Sequence, residues 1–421
     1  MAGGLLRIAV GSAWHRRFGL SLVVLSVALS TLLLLGVERL RHDVREGFAQ
    51  SVSGTDLLVG PRTGSVQLLL YAVFRLGSPT QNIRWSSVQA IERDPAVAWV
   101  VPLSLGDTHR GFPVVGTTAG YFEHFRHGAR RPLALAQGLA FDGVFEAVIG
   151  AEVAQRLGYQ PGQRIVLSHG GGEFAENDHA DKPFTVVGVL ARTGTPVDRS
   201  VHIPLAGMEA IHLDWQMGAP LPGMAVPAER VHEHDLTPRT VTALLVGLKS
   251  RAAVFSAQRR INAFAQEPLM AVLPGVALDE LWDAVDAGER ALQAMGALVA
   301  VVSLAGLVAV VVTGLEQRRR ELAVLRAVGA RPGQVFALLL LEGALVAAAG
   351  AALGTLAWVL AAVGLAPLAE ARLGVALQPG WPTPREWALL GMIVLGGTVA
   401  ALLPGWRAYR LSLADGLLPR G

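Results

Sequence analysis

Phe18–Val37 contains no charged residue, and three further apolar runs follow after residue 290: Ala294–Thr313, Gly343–Pro367 and Trp387–Leu403. About twenty apolar residues cross a bilayer core of ~30 Å. The pattern therefore predicts a membrane protein with four transmembrane α-helices in a one-plus-three order. The first run is longer than the apolar part of a cleavable leader. Leu35-Gly-Val-Glu-Arg39 offers no small-x-small cleavage site, so the run reads as a retained anchor.

The long polar middle has a different rhythm. Short β-branched runs bounded by Gly, Pro or Asp predict strands at Asp56–Gly60, Ala96–Val101, Phe112–Gly116, Ala147–Gly150, Gln163–Leu167 and Phe184–Leu190. Short helices are expected at Ser86–Asp94 and Glu152–Leu157. This mixture predicts an α+β domain. Leu40, Val44 and Phe48 at one end, and Leu278, Leu281, Trp282 and Val285 at the other, recur at helical spacing. Two such helices side by side would form a stalk; two separate surface helices are the alternative. Gly170–Lys182 and Met217–Asp235 read as irregular loops.

Charge then sets sidedness. Arg7, Arg16 and Arg17 precede the first run, Arg318, Arg319, Arg320, Arg326 and Arg331 separate the second from the third, and Arg407, Arg410 and Arg420 follow the last. By the positive-inside rule these segments face the cytoplasm. The expected layout is a cytoplasmic stretch 1–17, a span 18–37, an extracytoplasmic domain 38–288, a span 289–315, a cytoplasmic loop 316–334, a span 335–367, a short outer loop 368–385, a span 386–405 and a cytoplasmic tail 406–421.

Composition removes several functions. The 421 residues are 52% hydrophobic and 16% charged, with a net charge of +3, too small and too dispersed to imply nucleic acid. The only lysines, Lys182 and Lys249, follow Asp181 and Leu248, so neither belongs to a P-loop. Any ATP must be bound by another chain. No cysteine is present, which excludes disulfides and thiolate metal ligands. No catalytic constellation stands out, and the chain is expected to be non-catalytic.

Glu316-Gln-Arg-Arg-Arg-Glu-Leu-Ala-Val-Leu-Arg-Ala-Val-Gly-Ala-Arg-Pro-Gly333, followed by Leu341-Glu-Gly343, resembles the permease domain of the MacB/LolE/FtsX class of ABC transporters. Leu403-Pro-Gly-Trp-Arg-Ala-Tyr-Arg410 is similar to that family's closing segment. Val148–Leu167 and Phe184–Leu205 are similar to the core of the MacB-like periplasmic domain, so the resemblance covers nearly the whole chain. It implies a permease of the bacterial inner membrane that pairs with a second copy or a paralogue and recruits a cytoplasmic ABC ATPase dimer. ATP and Mg would enter through that partner, and movement would pass to the periplasmic domain for export or mechanotransmission. A periplasmic or lipoprotein partner is also implied. The residues expected at the ATPase are Arg319, Arg320, Glu321, Leu322, Leu325, Arg326 and Gly329. Gly329 suits the position after a helix end and Pro332 the first turn of the next helix.

Within the spans, Gly350 and Gly354 form a GxxxG pair for close helix packing, either in this chain or with a second copy. Glu342 should face the helix bundle or stay near the interface. Ten of the eleven histidines lie between His42 and His234. His232 and His234, and after them the loop with His169, Glu173, His179 and Asp181, contain zinc-ligand types; solvated loop histidines are the alternative. The rival to a permease is a membrane-anchored periplasmic sensor or regulator, metal-linked or acting on cell-wall hydrolases, that transports nothing.

Overall fold

An eleven-stranded sheet organises the middle of the chain. Its strands are β1 (Leu57–Pro61), β2 (Val97–His109), β3 (Phe112–Thr117), β4 (Leu135–Gly138), β5 (Glu146–Ile149), β6 (Arg164–Ile165), β7 (Ser168–His169), β8 (Phe184–Leu190), β9 (Val201–Pro204), β10 (Ala243–Leu248) and β11 (Leu269–Val272). The order is β11-β1-β10-β2-β3-β9-β5-β8-β4, with β7 added to β2 and β6 to β8. Pairing is antiparallel except for β3 with β9 and β5 with β8. The computed structural model describes residues 17–51, 53–169, 179–216, 219–220, 226–317, 324, 327–373, 380–402 and 405–406.

Strands β1 and β10 read as unbroken apolar runs because both of their faces are covered. Leu57, Val59, Leu244 and Val246 pack with Val88 and Ile91 of the Trp85–Glu92 helix and Ala257 and Ile261 of the Val254–Asn262 helix. Leu58, Leu103 and Leu245 point the other way, onto Leu68, Leu69 and Tyr71 of the Ser65–Ala72 helix. A third core joins Val114, Ile149, Val186, Val201 and Ile203 to Met208 and Ile211 of the Leu205–His212 helix. Each fully buried side chain of this size contributes roughly 1.5–3 kcal/mol relative to exposure. Strand β2 runs eight residues beyond the predicted Val101 and carries polar Asp107, Thr108 and His109. Pairing of Ser168 with Thr108 and of His169 with Asp107 supports that extension.

The chain divides into two compact units, one built on Val44–Val285 and one on the helices before and after it. Among the described residues, three helices are long and apolar enough to cross a bilayer, over Phe18–Glu46, Pro274–Thr313 and Pro332–Ala366. The expected fourth span forms a helix over Pro384–Ala400, but its 17 residues cover only about 26 Å at 1.5 Å per residue. The described residues thus hold three long apolar helices and one shorter helix at the place expected for the fourth span. Thr383 caps the short helix in a reciprocal box with Glu386.

Neither predicted amphipathic segment is separate. Glu38–Gln50 continues the Arg17–Ser51 helix, and Leu278–Asp286 lies within Pro274–Gln317. Leu278 is buried in the sheet domain's core with Leu281 and Trp282 against it, whereas Leu40 and Val285 are exposed. Polar groups on these helices also meet: Arg45 lies over the Trp282 ring at 5.0 Å, and Arg41 Nε sits 2.8 Å from Glu289 Oε2.

Candidate functional site

Four side chains from three stretches of the sequence converge in the sheet domain: Asp107 on β2, His169 on β7 with His179 in the loop before β8, and His212 at the end of the Leu205–His212 helix. One ligand atom from each lies within 4.8 Å of the others. His169 Nδ1 is 2.9 Å from Asp107 Oδ1, His212 Nε2 is 3.4 Å from His169 Nδ1, and His212 Nε2 is 3.8 Å from Asp107 Oδ2.

Each member is held from outside the cluster. Antiparallel pairing sets His169 directly opposite Asp107. His212 Nδ1 lies 2.8 Å from the Met208 carbonyl. A carbonyl only accepts, so Nδ1 donates to it and Nε2 is the nitrogen turned to the cluster. The His179 amide donates to the Leu167 carbonyl at 2.8 Å, and the Lys182 amide donates to the His179 carbonyl at 3.1 Å. Lys182 is fully buried and its Nζ donates to both Asp214 oxygens at 2.8 and 2.9 Å, tying the His179 loop to the segment after His212. The Trp215 ring closes one side, 4.4 Å from the His179 ring.

The electrostatics are uneven. The Asp107 hydrogen bond raises the His169 imidazole above its ordinary value. Burial pushes His179 down to about 4. His179 is fully buried, and neither of its ring nitrogens has a hydrogen-bond partner among the described residues. Three imidazoles and a carboxylate make a donor set for a borderline divalent ion rather than for hard Ca²⁺ or Mg²⁺.

The sequence reading placed His169 and His179 among the metal candidates but missed Asp107 and His212. Asp181 from the same loop pairs instead with Lys182, Oδ2 to Nζ 2.7 Å, and Glu173 lies outside the described residues. His232 and His234 sit on an exposed 3₁₀ turn and its end, Ala228–Glu233, and join no cluster of three or more metal-ligand side chains among the described residues.

Of the residues expected at the ATPase, Arg319, Arg320, Glu321, Leu322, Leu325 and Arg326 lie outside the described residues. Gly329 has φ +104°, which favours glycine, and Pro332 opens the next long helix. Val324 and Val328 beside them are exposed. Gly350 and Gly354 pack within this chain, against the Arg17–Ser51 helix. A β-carbon on Gly350 would lie 2.6 Å from Val27 Cβ, and one on Gly354 would lie 2.5 Å from the Ala28 carbonyl oxygen. Glu342 is 2% exposed.

A long apolar helix, an α+β domain and further long apolar helices follow one another along the chain, the arrangement of a membrane protein with a large domain between its candidate spans. The chain matches the MacB-like periplasmic core domain over residues 20–264, more than half its length, and the FtsX-like permease C-terminal domain over residues 294–414. It belongs to the MacB/FtsX-like family of ABC transporter permeases. Among solved structures it is similar to the periplasmic region of MacB from Actinobacillus actinomycetemcomitans, at 11% identity over 55% of this chain and 94% of that one, with a TM-score of 0.34. It is also similar to the extracellular domain of the noncanonic ABC-type transporter YknZ from Gram-positive bacteria, at 14% identity over 52% and 99%, with a TM-score of 0.30. No curated protein matches the chain.

Proposed function

We propose that this permease subunit passes ATP-driven movement from a separate cytoplasmic ATPase dimer to its sheet domain, for export or mechanotransmission. In this reading Pro384–Ala400 completes a fourth span, both ends of the chain and the 316–334 loop face the cytoplasm, and residues of about 38–288 lie on the other side. The subunit works in the bacterial inner membrane as a dimer with itself or a paralogue. The observation that carries the reading is the pair of family matches in one chain, 20–264 and 294–414. The continuity of Arg17–Ser51 and Pro274–Gln317 supports it, because an unbroken helix transmits displacement along its axis.

The test is reconstitution in lipid with the candidate ATPase. Co-purification, with the ATPase rate lowered several-fold by Arg320→Ala and Glu321→Ala, is the expected result. If the ATPase neither associates with the chain nor changes its rate in its presence, the reading fails.

A further inference from the structure

We propose that Asp107, His169, His179 and His212 form a binding site for one divalent transition-metal ion of the zinc class. The argument stands apart from ATPase coupling and uses only the sheet domain.

In a tetrahedral zinc site with bonds of ~2.0–2.1 Å, neighbouring ligand atoms are about 3.3 Å apart. The separations of 2.9, 3.4 and 3.8 Å bracket that value, and the four ligand atoms all lie within 4.8 Å of one another. The second observation is independent of spacing. His179 presents two buried nitrogens without hydrogen-bond partners among the described residues, and a buried polar atom of this kind costs roughly 1–3 kcal/mol unless something binds it. A hydrogen-bonded His169–Asp107 pair alone gives His179 no reason to be there. An ion does, because it takes one lone pair from each imidazole.

The supporting shell matches the demands of a metal. The Met208 carbonyl fixes the tautomer of His212, the commonest device for orienting a ligating histidine. Asp107 is 3% exposed and supplies the negative charge that a dication needs in a buried place. The frame of Lys182 and Asp214 and the wall of Trp215 hold the two loop segments in place without offering donors to the ion. The His169 and His212 side chains are 41% and 29% exposed, which leaves an entry path.

The test uses the full chain in detergent, stripped with chelator and titrated with zinc, and in parallel with cobalt(II) as a spectroscopic probe. One zinc per chain and the intense visible absorption of four-coordinate cobalt are expected, with no competition from calcium or magnesium. His169→Ala and His212→Ala change partly exposed side chains that the fold tolerates. Each should weaken zinc by roughly 100-fold or more and abolish the cobalt bands. The double change His232→Ala with His234→Ala should leave both readouts intact. Absence of stoichiometric zinc binding overturns the proposal. So does binding that survives His169→Ala and His212→Ala, or that depends on His232 and His234.

Discussion

Lys182 and Asp214 in the sheet domain, and Ser30 and Ser303 among the long helices, are buried polar groups handled by opposite means. The sheet domain encloses full charges and matches each with several directional partners: Lys182 Nζ meets Asp181 and both Asp214 oxygens. Apart from Glu342, the long helices enclose hydroxyls, with Ser303 Oγ 2.8 Å from the Oγ atoms of both Ser26 and Ser30, while Gly350 and Gly354 let backbones approach. Lone charge is costly in both settings, but an aqueous-facing domain can assemble a complete charge network around it. A helix bundle in lipid relies on close packing and short hydroxyl bonds. The pair of Arg39 and Glu386, 3.5 Å apart and both largely buried, is placed at the capped start of the short helix rather than in the middle of the apolar runs.

The sharpest way to break this contrast is Lys182→Met. It strands Asp214 as an uncompensated buried charge, and a destabilisation of about 3–5 kcal/mol in denaturant unfolding is expected. Adding Asp214→Leu should recover most of the loss, since removing both charges removes the penalty. His202 provides a pH test. It is fully buried, and burial, followed by the Arg75 charge, pushes its imidazole down to about 3. The unfolded chain protonates this group near pH 6.5 and the folded chain does not, so stability falls as pH drops from there towards 3. The loss is on the order of a few kcal/mol, and His202→Gln should flatten that acid limb.

The helical side of the comparison predicts smaller effects. Gly354→Leu drives a side chain into the Ala28 carbonyl and Thr31, at a cost of about 1–3 kcal/mol, read as a lower thermal midpoint in detergent. Ser303→Ala removes hydroxyl bridges to Ser26 and Ser30 and should cost only about 0.6–1.7 kcal/mol.

What the chain's pattern reveals follows from the range of the interactions involved. Strands β1, β3 and β8 were readable because apolar β-branched runs are local signals, and the helices Trp85–Glu92 and Ala151–Leu157 formed within a residue or two of the expected places. Leu205–His212 and Val254–Asn262 were not anticipated, because their apolar spacing gains meaning only once β3, β9 and β11 exist to be covered. The same limit applies to the histidine cluster. Asp107 and His169 are 62 positions apart, and only antiparallel pairing makes them neighbours. His232-Glu-His-Asp235 looked more like a site because its histidines are close in sequence, which proved a poor guide to convergence in space. The 17-residue helix Pro384–Ala400 was legible for the same reason as the strands, because its apolar run is a local signal.

Sidedness is tested most directly by labelling with a membrane-impermeant thiol reagent, since the chain has no cysteine of its own. Gln160→Cys, exposed in the sheet domain, should react in intact cells, and Arg319→Cys should react only after permeabilisation. Labelling of position 319 from outside, or protection of position 160 until the membrane is opened, would contradict the account.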